Sequence, residues 1–284
     1  MVITRLQGGL GNQMFQYAAG RALAARLATG LKIDASFLGN DPGGSYTKRS
    51  LELGQLNVTL DILSGEELQK ISSRSFITRI FGKTTFKQLR DDAVGIANFS
   101  NVTGNVYLDG YWQSERYFLP IRNVLLREFT PAYSAGSSEA LKKKLETPGS
   151  VAVHVRRGDY VTLASASAYH GVLDMNYYET AFREIKKRVP DARFFVFSDD
   201  PSWCLQAFSG LGIEEVIDGH GQPASRDLLL MSSCSHNIIA NSSYSWWGAW
   251  LNDNPGKVVV APARWYRAED ARGNEIICKS WLRV

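Results

Sequence analysis

Cysteine is scarce in this chain of 284 residues: Cys204, Cys234 and Cys278 are few, odd in number and far apart. They supply neither a disulfide framework nor a cysteine metal cluster, which places the expectation in a reducing, cytoplasmic compartment. Long apolar runs are missing too, and nothing approaches the roughly 20 residues a helix needs to span a bilayer. The first residues, MVITRLQGG, form a short strand-like run ending in glycines, so no secretion leader is expected. A large excess of one charge is also absent, with 32 Lys and Arg against 28 Asp and Glu. That mild basicity falls short of the dense patch a nucleic-acid binder carries, so no nucleic-acid partner is expected. It suits an anionic ligand, or a loose approach to a membrane surface. The Asn-x-Ser/Thr patterns at Asn57, Asn98, Asn101 and Asn241 carry no modification in a cytosolic chain.

The composition is otherwise that of a soluble globular protein, 44% hydrophobic and 21% charged. The length fits two domains of middling size. Short apolar runs alternate with helical patterns throughout. VITRL (2–6), LKIDA (31–35) and GNVYLDG (104–110) resemble strands, whereas GNQMFQYAAGRALAARLA (11–28) and SERYFLPIRNVLLREF (114–129) have helical spacing. SGEELQKI (64–71) begins a helix with a capping box, Ser64 with Glu67. After the turn-rich PAYSAGSSE (131–139) the alternation sharpens, with strands predicted at VAVHV, ARFFVFS, EEVID, HNIIAN and KVVVAP. Such alternation predicts an α/β fold with mostly parallel sheets. Two Rossmann-like domains facing across a cleft are expected, an N-terminal one over 1–140 and a C-terminal one over 141–284.

Open parallel sheets bind ligands at the carboxyl ends of their strands. Four polar segments fall at such ends: QGGLGNQ after the first strand, RRGDY after VAVHV, DDP after FFVFS and SSYSWWG after NIIAN. Arg156 and Arg157 form a fork that matches phosphate oxygens and keeps its charge. The plain alternative is a surface pair, or a salt bridge with Asp159. QGGLGNQ is no P-loop, because no Lys-Ser/Thr follows, and Met14 occupies the third glycine of a dinucleotide fingerprint, leaving Gly9, Gly11 and Asp34 a partial match. The remaining readings are a glycine loop whose helix amides approach a phosphate or sugar, with Asn12 as hydrogen-bonding side chain, or a tight turn capped by Asn12.

Ser198, Asp199 and Asp200 resemble the acidic pair that holds a cation in many sugar-nucleotide enzymes. They also suit guanine's N1–H and 2-amino donors, or simple capping of a helix before Pro201. Asn241, Ser242 and Ser243 precede a helix start, again a phosphate-friendly geometry. Trp246, Trp247 and Trp250 favour interdomain packing over a sugar platform.

In order, GGLGNQMFQYAAGRALA, HVRRGDY, FSDDP and NSSYSWWGAWLN resemble the α1,2-fucosyltransferases of glycosyltransferase family eleven. The resemblance spans the chain. It implies a GT-B fold, GDP-fucose as donor, a galactose-containing glycan as acceptor, and an inverting mechanism needing no metal and no cofactor. By position it gives Arg156 the donor diphosphate, with Arg157, Asp159 and His154 completing that motif. It brings Gly9, Gly11 and Asn12 to the donor, gives guanine to Asp199 and Asp200, and phosphate to Ser242 and Ser243. Tyr169-His170-Gly171 resembles a shorter family motif. Related enzymes carry a glutamate after the arginine motif, but residues 160–173 hold no Asp or Glu. Asp159, His170 or a residue of the N-terminal domain is then left as base, unless an oxocarbenium-like transition state needs no strong one. Acceptor contacts are expected in the loops 36–50 and 110–116. Two other readings remain: another GDP-deoxyhexose as donor, and a silent glycan-binding protein.

Overall fold

The structure, a computed structural model, describes residues 1–39, 49–69, 71, 86–91, 96–132, 139–158, 171–267 and 273–284. The chain divides into two compact units, Met1–Phe129 and Thr130–Val284. Each is an α/β layer built on a wholly parallel sheet, the class the strand-helix alternation predicts.

In the first unit the strands β1 (Val2–Arg5), β2 (Leu31–Asp34), β3 (Lys87–Arg90) and β4 (Val106–Asp109) lie in the order β2-β1-β4-β3. Helix α1 (Leu10–Arg26) follows β1 and buries most of its residues, Met14, Phe15 and Ala18 among them. The capping box forms as the sequence predicts: Ser64 donates its amide to Glu67 at 2.9 Å, and Glu67 returns its own to the Ser64 hydroxyl at 3.3 Å. The strand β3 has no sequence signature, because Leu89 is its only buried residue. The helix expected over 114–129 is broken. Short 3-10 turns at Glu115–Tyr117 and Leu119–Ile121 precede α3 (Arg122–Glu128), since Pro120 lacks an amide and restricts the residue before it. Helix α2 (Ile96–Ser100) lies between β3 and β4.

The second unit carries β5 (Ser150–Val155), β6 (Arg193–Ser198), β7 (Ile213–Asp218), β8 (His236–Ile238), β9 (Val259–Ala261) and β10 (Leu282–Arg283), in the order β10-β9-β8-β5-β6-β7. All six residues of β5 are buried, as a central strand covered on both faces requires. Its helices among the described residues are α4 (Glu139–Leu145), α5 (Met175–Arg188), α6 (Pro201–Ala207), α7 (Ala224–Ser233), α8 (Ser243–Leu251) and α9 (Gly273–Ile276). Phe182 of α5 stacks on Phe194 of β6 at 4.0 Å, and Tyr178 packs edge-on to Phe208. The tryptophans of α8 pack within this unit: Trp246 is parallel to Trp250, meets Trp281 at 5.5 Å and donates its indole N–H to the Ile276 carbonyl at 2.6 Å. Fully buried, they form a core and offer no platform. No helix among the described residues is long and apolar enough to cross a membrane.

Strand order fixes where each unit can bind a ligand. From β5 the chain runs outward to β6 and β7, then returns to the other side of β5 as β8. The crevice at the carboxyl ends of β5 and β8 is therefore a topological switch point, where open α/β sheets bind ligands. The first unit has its own between β1 and β4, which are neighbours in space with β2 on one side and β3 on the other.

Candidate active site

The switch point of the second unit is where the polar motifs converge. His154 is the fifth residue of β5, and Arg156 and Arg157 lie just beyond the strand's end. The neighbouring strand β6 ends at Ser198, and in-register pairing sets Val155 beside Ser198. That register carries the next residues of both strands into contact. Arg156 reaches Asp199 through Nη1 at 2.7 Å, and Arg157 reaches Asp200 through Nε at 3.2 Å. The Arg157 amide also donates to Asp199 Oδ1 at 2.9 Å. Asp200 caps α6 by accepting the Trp203 amide at 3.1 Å, and its own amide donates to the Ser198 hydroxyl at 2.9 Å. Among the described residues the arginines' carboxylate partners are Asp199 and Asp200, and Asp159 lies outside those residues. Capping and arginine binding coexist on Asp200. The Arg157 guanidinium is further held 3.9 Å from the Trp203 ring, a contact available to a planar guanidinium and poorly met by an ammonium.

Gly158 closes this arrangement. A Cβ there would stand 2.6 Å from Asp199 Oδ2, the oxygen that holds Arg156. His154 sits beneath, only 6% exposed, with Nδ1 buried and without a partner among the described residues and its ring 5.7 Å from that of Tyr244. Burial drives its pKa down to about 4; the Asp199 carboxylate opposes that fall and the Arg156 charge adds to it. At neutral pH it is an uncharged imidazole beside a charged fork. Cys204, under the same cluster, is pushed up to about 11 by burial and is no nucleophile.

From β8, Asn241 and Ser242 lead into α8. Ser242 takes the N-cap position with extended backbone, and its hydroxyl makes no capping bond. Ser243 opens the helix, whose first turn holds no acidic residue. The Asn241 Nδ2 donates to the carbonyls of Gly171 at 3.2 Å and Trp265 at 3.3 Å. It ties backbone together. His170 and Tyr169 lie outside the described residues.

Gly9, Gly11 and Asn12 belong to the first unit, Gly9 as the N-cap of α1 and Gly11 and Asn12 in its first turn. The amide of Leu10 is taken by Glu52 Oε2 at 3.0 Å, so an internal carboxylate already answers this helix end. Buried Gln13 links the loop to a second segment, donating to the carbonyls of Gly8 and Ser50 at 2.8 Å each and accepting the Glu52 amide at 2.9 Å. The Asn12 Oδ1 accepts from Gln113 Nε2 at 2.9 Å. Sequence reasoning missed Glu52, Gln13 and Trp203, which act across 39 or more positions or as a stacking plane; Gln113 falls in the loop 110–116 expected at the acceptor, with no signal tying it to Asn12.

Two parallel-sheet units, one with a charged fork at its switch point, have the GT-B architecture of nucleotide-sugar glycosyltransferases. The model described as Glycosyl transferase family 11 matches residues 1–284, and the chain belongs to that family. An alpha-1,2-colitosyltransferase of Escherichia coli is 35% identical over 294 residues, covering 100% of this chain and 99% of the relative. The O-antigen biosynthesis glycosyltransferase WbnK of Escherichia coli is 34% identical over 301 residues, covering 98% and 99%. Galactoside 2-alpha-L-fucosyltransferase Sec1 of Mus musculus is 26% identical, covering 88% of this chain and 64% of the relative. Among solved structures, NodZ alpha-1,6-fucosyltransferase soaked with GDP-fucose aligns with a TM-score of 0.50 at 17% identity, over 90% of this chain and 96% of that one. At that identity the likeness is one of fold.

Proposed function

We propose that the chain transfers L-fucose from GDP-fucose to the 2-OH of a terminal galactose in a glycan, inverting the anomeric centre to form an α1,2 linkage without a metal ion. The observation that carries this reading is the fork of Arg156 and Arg157, held by Asp199 and Asp200 at the switch point of the second sheet. In the reaction the bond from the fucose anomeric carbon to the β-phosphate oxygen breaks, and its electron pair leaves with GDP. The galactose O2 forms the new bond from the opposite face, and its proton passes to a base or to solvent.

Arg156 stabilises the charge that grows on the departing diphosphate, assisted by the hydroxyls of Ser242 and Ser243 and the α8 terminus. The carboxylates that now satisfy the fork hold it in place before the donor arrives. Each carboxylate oxygen has a second lone pair, so Asp199 and Asp200 can still accept from guanine. His154, neutral, lines the donor side without adding charge. Asp159 or His170 takes the proton, unless the oxocarbenium character of the transition state removes the need. Gly9, Gly11 and Asn12 meet the substrates from the first unit, which serves the acceptor side, while the second unit holds the donor. The enzyme works in the cytoplasm, and a lipid-linked acceptor would bring it to the membrane surface.

A second donor has a specific observation behind it. A relative 35% identical over essentially the whole of both chains is a colitosyltransferase, and the arginine fork reads the nucleotide end rather than the sugar. The test is GDP release from GDP-fucose and from GDP-colitose, competed in one assay with lactose as acceptor and EDTA present, for wild type and Arg156→Ala. Acceptor-dependent release from GDP-fucose that survives EDTA and collapses in the variant supports the fucosyl reading. Release from GDP-colitose alone transfers the reading to that donor. Glycan binding without any GDP release, unchanged in Arg156→Ala, makes the chain a silent binder.

A further inference from the structure

The switch point of the first unit has a strained loop. After β4, Gly110 has no room for a Cβ, which would stand 2.4 Å from Asp91 Cβ. Two residues on, Trp112 has φ +56°, a left-handed conformation that a bulky side chain rarely adopts. It is held there by the Asp91 carboxylate, which accepts its amide at 2.9 Å, and by the rings of Phe99 and Tyr117 at 5.4 and 5.3 Å. The ring is fully buried, yet among the described residues its indole N–H has no partner, and neither has the buried Ser114 hydroxyl. Burial of polar atoms without partners is also unfavourable, so this loop conformation is maintained against two local costs.

What the conformation achieves is the placement of Gln113. From this turn its Nε2 crosses the switch point to Asn12 Oδ1 at 2.9 Å, a contact between residues 101 positions apart. On its other side Asn12 packs against Gly8, where φ is +78° and a Cβ would stand 2.5 Å from Asn12 Nδ2. The Asn12 amide is therefore fixed at both ends. Its oxygen is occupied, which orients the NH₂ group, with its two N–H donors, as the end left for an oxygen atom of a ligand.

We infer that Gln113, set by the left-handed turn at Trp112, is a positioning residue that holds the Asn12 amide as a hydrogen-bond donor to a substrate oxygen, either a phosphate or hydroxyl of the sugar nucleotide or a hydroxyl of the glycan acceptor. The inference rests on the transferase reading above and extends it to residues that no motif marks. Gln113 acts through Asn12, so the two substitutions are not additive.

The experiment is a double-mutant cycle on Asn12→Ala and Gln113→Ala, with GDP-fucose and GDP-colitose as donor probes and lactose as acceptor. Each variant is first shown to unfold cooperatively near the wild-type temperature. Gln113→Glu, which keeps the size but offers an acceptor where a donor stood, serves as the second variant. Gln113→Ala lowers kcat/KM roughly 5–10-fold, the worth of one hydrogen bond, in the wild-type background and has no effect in the Asn12→Ala background. Gln113→Glu follows Gln113→Ala. A rise confined to the KM of the donor assigns the contact to the sugar nucleotide, and one confined to lactose assigns it to the acceptor. Equal losses from Gln113→Ala in both backgrounds, or full activity in Gln113→Glu, would overturn the inference while leaving the transferase reading intact. A wild type that binds and turns over neither donor would bring down both.

Discussion

Replacing Gly158 with alanine tests the arginine fork without touching an arginine. The added Cβ would lie 2.6 Å from Asp199 Oδ2, whereas real Cβ contacts stay beyond 3.0 Å and relax fully only at 3.4 Å. The carboxylate must then retreat by about 0.4 to 0.8 Å (3.0 − 2.6 and 3.4 − 2.6). The same oxygen holds Arg156 at 2.7 Å, and Asp199 Oδ1 is tied to the Arg157 amide at 2.9 Å, so the retreat cannot occur without stretching one or both. A hydrogen bond to a charged group is worth about 1.5–3 kcal/mol, reduced here because both side chains are 26% exposed. About 1.4 kcal/mol of lost orientation is a tenfold fall in kcat/KM for GDP release. Stability changes little, since the contact is half-exposed and outside the core; Tm moves by no more than about 4 °C, the shift of 1 kcal/mol in a unit of this size. Steady-state kinetics and a thermal melt decide the matter. Unaltered kcat/KM would refute the claim that Asp199 sets the fork, and a collapse of Tm would show that Gly158 serves the fold instead.

Two further outcomes follow from the same site. Arg157→Lys keeps the charge but loses the 3.9 Å stack on Trp203 and the Nε contact with Asp200, so it destabilises by about 1 kcal/mol and weakens GDP binding; calorimetry on both chains checks it, and a lysine variant equal to wild type would sink the argument. His154, with a pKa lowered from 6.5 to about 4, contributes stability that is whole above pH 6.5 and is lost as pH falls towards 4, because the unfolded chain binds the proton first. The gap of about 2.5 (6.5 − 4) sets an upper bound near 3 kcal/mol, and the partly buried His236, also lowered by burial, acts in the same direction. Urea unfolding between pH 7 and 4 should therefore be less steeply pH-dependent in His154→Gln, and identical slopes would contradict the assignment.

Much of this was legible in the one-dimensional pattern. Central strands bury both faces and so appear as unbroken apolar runs, as SVAVHV does; the polar residues that end such runs fall at the sheet's carboxyl edge. HVRRGDY, FSDDP and NSSYSWWG could thus be assigned to one end of one sheet before any coordinate was known. Edge elements escaped for the converse reason. With Leu89 its only buried residue, β3 has no period to detect, and the broken segment 114–129 kept helical spacing while Pro120 and its neighbour denied it helical geometry.

Pairing is where sequence reasoning stopped. That Arg156 and Arg157 are answered by Asp199 and Asp200 follows from the β5–β6 register, a fact about hydrogen-bond alignment between strands more than 40 residues apart. Asn241 shows the opposite lesson, a motif residue whose amide the fold uses to tie its own backbone. The sequence by itself determined the alternation, the two sheets and the residue types able to bind a diphosphate, because periodicity and side-chain chemistry are local. The tertiary structure alone decided which carboxylate holds which arginine and which glutamine orients Asn12. Those contacts depend on strand order and on a strained turn, and neither leaves a mark on neighbouring residues.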